Sequence, residues 1–327
     1  MTAWFWRPEE LRATTSDFWV EHPHGRIFTR IWRPEGRAGV EGAIVLFHDS
    51  LGCVDLWRNF PAALSASAGR PVIAYDRLGF GKSDARTDKP GLDFIADEAK
   101  TYFPVIRQEI GFDRFIAFGH SVGGGMAVNC AAEFPACCDA LITESAQAFP
   151  EDKTLQSISL AREQFKAEGQ IDRLEKYHGQ KARWVLDAWI ETWLHPGFAD
   201  WSLASVLPLV QCELLAIHGA HDEYGSARHP EMISELSGGP SRFEIIPDTH
   251  HVPHREREEL VVEMATKFVS MQNSSRGNHE TDLVGHGDTR IGVAGLGGLD
   301  DGRLASAGRQ ALHDEPPVAG REDRGNQ

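Results

Sequence analysis

The sequence predicts an α/β fold: a mostly parallel eight-stranded sheet flanked by helices, with a helical cap inserted after the sixth strand. Three observations carry this. Short apolar runs alternate with helix-compatible stretches between residues 15 and 270. One interval, 147–207, breaks that rhythm and holds no convincing strand. Finally, Gly119-His120-Ser121-Val122-Gly123 sits where an apolar run meets a small-residue helical stretch, which is the setting of a nucleophile elbow.

Strands are expected at 17–20, 27–32, 43–47, 72–75, 115–118, 140–143, 214–218 and 243–246. From residue 43 onward these runs are almost continuously apolar, as in strands covered on both faces. The first two, separated by His22-Pro23-His24-Gly25, read instead as an antiparallel hairpin at the sheet edge. Helices are expected at 60–68, 94–109, 122–133, 229–236 and 255–270. The core is therefore assigned to 15–146 and 208–272, with a helical cap at 147–207. The cap holds Trp184, Trp189, Trp193 and Trp201, most of which should pack cap on core while one or two line an apolar pocket. Trp184, Leu186, Ala188 and Ile190 share no single helical face, which predicts a helix contacted on more than one side. The segment 273–327 has 11 of the 32 glycines, no Phe, Trp or Tyr and no sustained period, and is read as a disordered tail.

The chain has 327 residues, 41% of them hydrophobic and 25% charged, enough for one large domain or two small ones. Its net charge of −15 repels phosphate backbones and argues against nucleic acid as a partner. No apolar run approaches the ~20 residues that span a bilayer. The first ten residues show neither a basic region nor a long apolar core, so no signal peptide is read. Five cysteines (Cys53, Cys130, Cys137, Cys138, Cys212) lack metal-ligand spacing and fit a reducing cytoplasm as small buried residues. The sequence calls for no cofactor and no metal, and oligomeric state is left open.

A serine hydroxyl needs a base, an orienting carboxylate and a pocket for the oxyanion, each on a loop at the carboxyl end of a parallel strand. The loop after 43–47, His48-Asp49-Ser50-Leu51-Gly52, points to the Ser50 and Val122 amides as the oxyanion hole, with His48 bracing the loop. After 214–218 comes Gly219-Ala220-His221-Asp222-Glu223. Asp222 is preferred to Glu223, since consecutive side chains point apart, and Glu144 is a rival acid. Asp76, in Asp76-Arg77-Leu78-Gly79-Phe80-Gly81-Lys82-Ser83, should pin a turn. After 243–246, His250, His251 and His254 compete as the base. The i, i+4 spacing of His250 and His254 would suit a metal, but Pro253 interrupts the helix between them.

Taken together, these motifs and His251-Val252-Pro253 resemble the α/β-hydrolase fold family, specifically its cap-bearing branch of esterases and meta-cleavage-product hydrolases, over residues 15 to 270. The order Ser, Asp, His is the one that fold uses. The resemblance implies Ser121 as nucleophile, Asp222 as acid and His251 as base, the last because the family's histidine precedes an apolar residue and proline. It departs from the family at Asp49 and His250, where glycine is usual. A serine at 121 argues against haloalkane dehalogenases and epoxide hydrolases, which use aspartate there. The implied function is a serine hydrolase cleaving a small carboxylic ester through an acyl-enzyme. The alternatives are a C–C bond hydrolase of meta-cleavage-type diketones and a non-catalytic hydrolase-fold binding protein. The expected partner is a small-molecule ester or related acyl compound.

Overall fold

The structure, a computed structural model, describes residues 13–284, with side chains described through Met271. The ten residues read for a leader and residues 285–327 of the expected tail lie outside the described residues. The described chain through Asp282 packs as one compact unit.

Eight strands, β1 (Ala13–Val20), β2 (Ile27–Pro34), β3 (Ala43–Phe47), β4 (Val72–Tyr75), β5 (Phe115–His120), β6 (Cys138–Glu144), β7 (Glu213–Gly219) and β8 (Ser241–Ile246), form one sheet in the order β1-β2-β4-β3-β5-β6-β7-β8. β2 runs antiparallel to both β1 and β4, and every other pairing is parallel. β3 is buried along its whole length because alternate side chains enter cores on opposite faces of the sheet. Val45 and Phe47 join one core, Ile44 and Leu46 the other.

The helices are α1 (Phe60–Ala68), α2 (Phe94–Asp97), α3 (Phe103–Ile110), α4 (Val122–Glu133), α5 (Asp152–Gln164), α6 (Gln170–His178), α7 (Ala182–Trp193), α8 (Arg228–Leu236), α9 (Pro253–Glu256) and α10 (Glu258–Val284). Phe60 and Leu64 of α1 share a core with Val261 and Phe268 of α10, while Ile106, Met126 and Ile233 from α3, α4 and α8 fill the opposite one.

Two helix boundaries differ most from expectation. The helix read as continuous over 94–109 is divided by a wide π-helical turn, Glu98–Tyr102. Pro104 lies in the first turn of α3; it cannot donate to the helical ladder and crowds the preceding turn, so the ladder shifts there. At the other end, α10 runs twelve residues past the expected boundary at 272. Apolar periodicity stops near Ser270, but the backbone ladder continues.

The interval between β6 and β7 holds α5, α6 and α7. Val185, Leu186, Trp189, Ile190 and Trp193 form the buried face of α7. Trp184 leaves α7 on another side and meets Phe80 edge-on at 5.6 Å, so the helix is contacted on two sides.

Candidate active site

The turn from β5 into α4 is shaped by what a side chain would hit. A Cβ on Gly119 would lie 2.1 Å from the Gly123 carbonyl oxygen, and one on Gly123 would lie 2.1 Å from that of Phe47. Only glycine admits this approach of turn, helix and β3. Between them Ser121 adopts φ 56° and ψ −127°, a region that L-residues occupy at a cost. Its hydroxyl thus stands at the amino end of α4, where the helix dipole favours negative charge.

Three distant segments meet at this point. Ser121 Oγ lies 3.0 Å from His251 Nε2. His251 Nδ1 lies 2.9 Å from each carboxylate oxygen of Asp222. Asp222 is fully buried, and its Oδ1 also accepts the backbone N–H groups of Tyr224 (2.7 Å) and Gly225 (3.1 Å). Burial alone would raise the Asp222 pKa; the neighbouring His251 charge and hydrogen bond, with His218 and the Tyr224 amide, outweigh it and bring the carboxyl down to about 2. It is therefore ionised at neutral pH, and fixes Nδ1–H on His251, which leaves Nε2 free to accept the Ser121 proton.

The competing residues have other partners. Glu223 does not face the imidazole; its carboxylate accepts the His251 backbone N–H at 3.2 Å. Glu144, the rival acid, is buried on His254: Oε1 accepts the His254 backbone N–H at 2.7 Å, and Oε2 lies 2.6 Å from its Nδ1. Exposed His250 meets Glu256 at 3.1 Å, so His250 and His254 face different partners. His120, Glu144 and His254 approach closely enough to hold an ion. Both Glu144 oxygens already receive His254 donors, however, and the cluster reads as a hydrogen-bonded brace behind the site.

The loop after β3, expected to supply the oxyanion hole, is anchored from several sides. His48 bridges the Asp49 carbonyl, 2.8 Å from its Nδ1, and the Arg77 backbone N–H, 3.1 Å from its Nε2, as a brace should. Asp49 Oδ1 accepts the Leu51 N–H at 2.8 Å, while Oδ2 lies 3.3 Å from His120 Nδ1. The other nitrogen of His120 donates to the His251 carbonyl at 2.8 Å. Both nitrogens of this buried ring thus face acceptors, which favours the imidazolium. Burial lowers the His120 pKa, but the Asp49 hydrogen bond and the charges of Glu144 and Asp49 outweigh it, and the net shift is upward. Asp49 therefore ties the loop after β3, through His120, to the segments that carry Ser121 and His251. Among the described residues, neither the Ser50 nor the Val122 backbone N–H has an acceptor within the protein. Asp76 pins its turn as expected: Oδ1 accepts from Val54 N and Oδ2 from Lys82 N.

Above Ser121 and His251 is a cavity of about 170 Å³. Leu51, Ile158, Trp189 and Trp193 supply its apolar wall, and Asp49, Gln147, Thr154 and Tyr224 its polar groups. Of the four tryptophans between β6 and β7, Trp189 and Trp193 line it, while Trp201 stacks on Phe198 at 5.2 Å. Sequence reasoning missed Gln147, Thr154, Ile158 and Tyr224 among these residues. Tyr224 packs its ring 4.8 Å from that of His251, and buried Gln147 reaches within 3.3 Å of Ser121 Oγ. Both stand on loops that follow parallel strands, a signal that could have marked them.

A profile of the α/β-hydrolase fold matches residues 42–188. Over 113 residues the chain is 34% identical to the human 1-acylglycerol-3-phosphate O-acyltransferase ABHD5, a match covering 33% of this chain and 30% of that relative. It is 25% identical to an uncharacterized protein of Mycobacterium tuberculosis over 87% of this chain and 93% of the relative. A solved bacterial membrane phospholipase A superposes with a TM-score of 0.65 at 19% identity, over 79% of this chain and 87% of that one.

Proposed function

We propose, from the premise that this chain belongs to the α/β-hydrolase fold family, that it is a serine hydrolase cleaving a small carboxylic ester through an acyl-enzyme. The observation that carries this reading is the run of short contacts Asp222–His251–Ser121 beneath a small, largely apolar cavity.

The Ser121 oxygen attacks the ester carbonyl as His251 Nε2 takes its proton. The Ser50 and Val122 N–H groups receive the oxyanion. Collapse of the tetrahedral adduct breaks the bond to the alkoxy oxygen, which leaves with the proton from His251. Water then gives a proton to His251 and attacks the acyl carbon. The second collapse returns that proton to Ser121 Oγ and frees the acid. Asp222 stays ionised and stabilises the imidazolium in both halves.

Asp49 supports ester cleavage over hydrolysis of meta-cleavage-type diketones. It is the charged side chain on the cavity wall, and no lysine or arginine lines the cavity among the described residues. An anionic substrate would meet a carboxylate without a cation to receive it, so the pocket favours a neutral ester.

Turnover of p-nitrophenyl acetate tests the proposal. Ser121→Ala should lower kcat by ~10⁶. Wild-type turnover by that variant would end the hydrolase reading, and no turnover by the intact protein of any ester in a panel would favour a non-catalytic binding protein.

A further inference from the structure

The hydrogen-bond inventory at Ser121 constrains what the acyl group can be. Ser121 has one hydroxyl proton and two neighbours, His251 Nε2 at 3.0 Å and the buried Gln147 side-chain amide at 3.3 Å. With Nδ1–H of His251 directed at Asp222, Nε2 carries only a lone pair, so the Ser121 proton belongs to His251. In that state Gln147 satisfies the Ser121 oxygen only by donating its amide N–H. A half-turn about the last side-chain bond brings the amide nitrogen to Ser121 and turns the carbonyl oxygen into the cavity. The second amide atom of Gln147 has no partner in the protein among the described residues, so that oxygen is available to a ligand.

Two other groups on the wall present acceptors. Asp49 contributes a carboxylate, and the Thr154 hydroxyl donates its proton to the Tyr224 carbonyl at 2.6 Å, leaving only lone pairs. These acceptors share the wall with the hydroxyls of Ser50 and Tyr224, while Trp189, Trp193 and Ile158 close the apolar side. A buried acceptor left unpaired by its ligand costs binding, so the Gln147 oxygen discriminates in favour of a ligand that supplies it a donor.

Resting on the serine hydrolase reading, we propose that the preferred substrate carries a hydrogen-bond donor on the carbon next to the scissile carbonyl, a 2-hydroxyacyl or 2-aminoacyl ester, and that Gln147 is the specificity residue that receives it. Attack by Ser121 Oγ brings the acyl carbon to the atom that Gln147 already touches, and the 2-substituent is the next group along the acyl chain.

The test compares four phenyl esters on the full chain: propanoate, 2-hydroxypropanoate, 2-aminopropanoate and 2-methoxypropanoate. Each kcat/KM is divided by the ester's rate of hydroxide hydrolysis to remove intrinsic reactivity. The 2-hydroxy or the 2-amino ester should exceed propanoate by about tenfold, and whichever does so identifies the donor. The 2-methoxy ester, which keeps the oxygen but lacks the proton, should lose the advantage. Gln147→Leu and the more flexible Gln147→Met, checked for folding by circular dichroism, should each bring the donor-ester to propanoate ratio to near one. Equal ratios across the four esters, or a preference that survives both substitutions, would overturn this proposal and leave the hydrolase reading intact. Turnover of none of the esters would overturn both.

Discussion

Replacing Asp222 by Asn separates the chemistry of this site from its architecture. Asp222 Oδ1 accepts the Tyr224 and Gly225 backbone N–H groups, and the asparagine carbonyl can occupy the same place. The asparagine NH₂ then takes the position of Oδ2, 2.9 Å from His251 Nδ1. Two donors cannot face each other, so Nδ1 becomes the acceptor and the imidazole proton moves to Nε2. Its lone pair for Ser121 is lost while the heavy atoms barely move. By analogy with serine proteases, such a tautomer exchange lowers kcat by ~10⁴, about 5 kcal/mol of transition-state stabilisation. The assay is ester turnover with urea unfolding measured on the same preparation. The expected result is a ~10⁴ loss in kcat with a stability loss of about 2 kcal/mol or less. Turnover within about tenfold of wild type in the folded variant would refute the role given to Asp222.

The remaining predictions concern stability. The Asp222 carboxyl is held near 2, below its ordinary 3.8, so the folded state binds its proton more weakly than the unfolded chain. That contribution, about 2 kcal/mol, is present above the unfolded pKa and lost as pH falls through the folded one. The stability gap between wild type and Asp222→Asn in urea should accordingly narrow between about pH 5 and pH 3, and a constant gap would contradict it. Glu144→Ala leaves the buried His254 ring and backbone N–H without an acceptor, and should cost about 3 kcal/mol in urea unfolding. If Glu144 were the triad acid instead, its loss would match Asp222→Asn in kcat. Gly123→Ala drives a methyl group toward the Phe47 carbonyl, and should yield a protein with lowered Tm and little turnover, whereas a wild-type Tm would contradict the packing argument.

The parts legible in the sequence are those where one local rule dominates. β3 and β4 end at the expected residues because burial on both faces makes each a continuous apolar run. β1 starts at Ala13, earlier than expected, since Ala13–Ser16 pair with β2 by backbone hydrogen bonds that leave no hydrophobic mark. β8 is likewise longer and mostly exposed. Ser121 was legible because its flanking glycines have a steric cause, and Asp222 because a carboxylate follows a strand. Which of three histidines faces Ser121 required the family likeness, because the local sequence contains no rule that orients that loop. The Asp49–His120 contact and the reach of Gln147 join segments far apart in the chain, and such contacts leave no periodicity to read.

The most direct measurement is to treat the folded chain with a fluorophosphonate, digest it and locate the adduct by mass spectrometry. A hydroxyl activated by His251 should carry the phosphonyl group at Ser121, and His251→Ala should remove it. Recovery of unmodified Ser121 from folded protein, or equal modification in His251→Ala, would contradict the account.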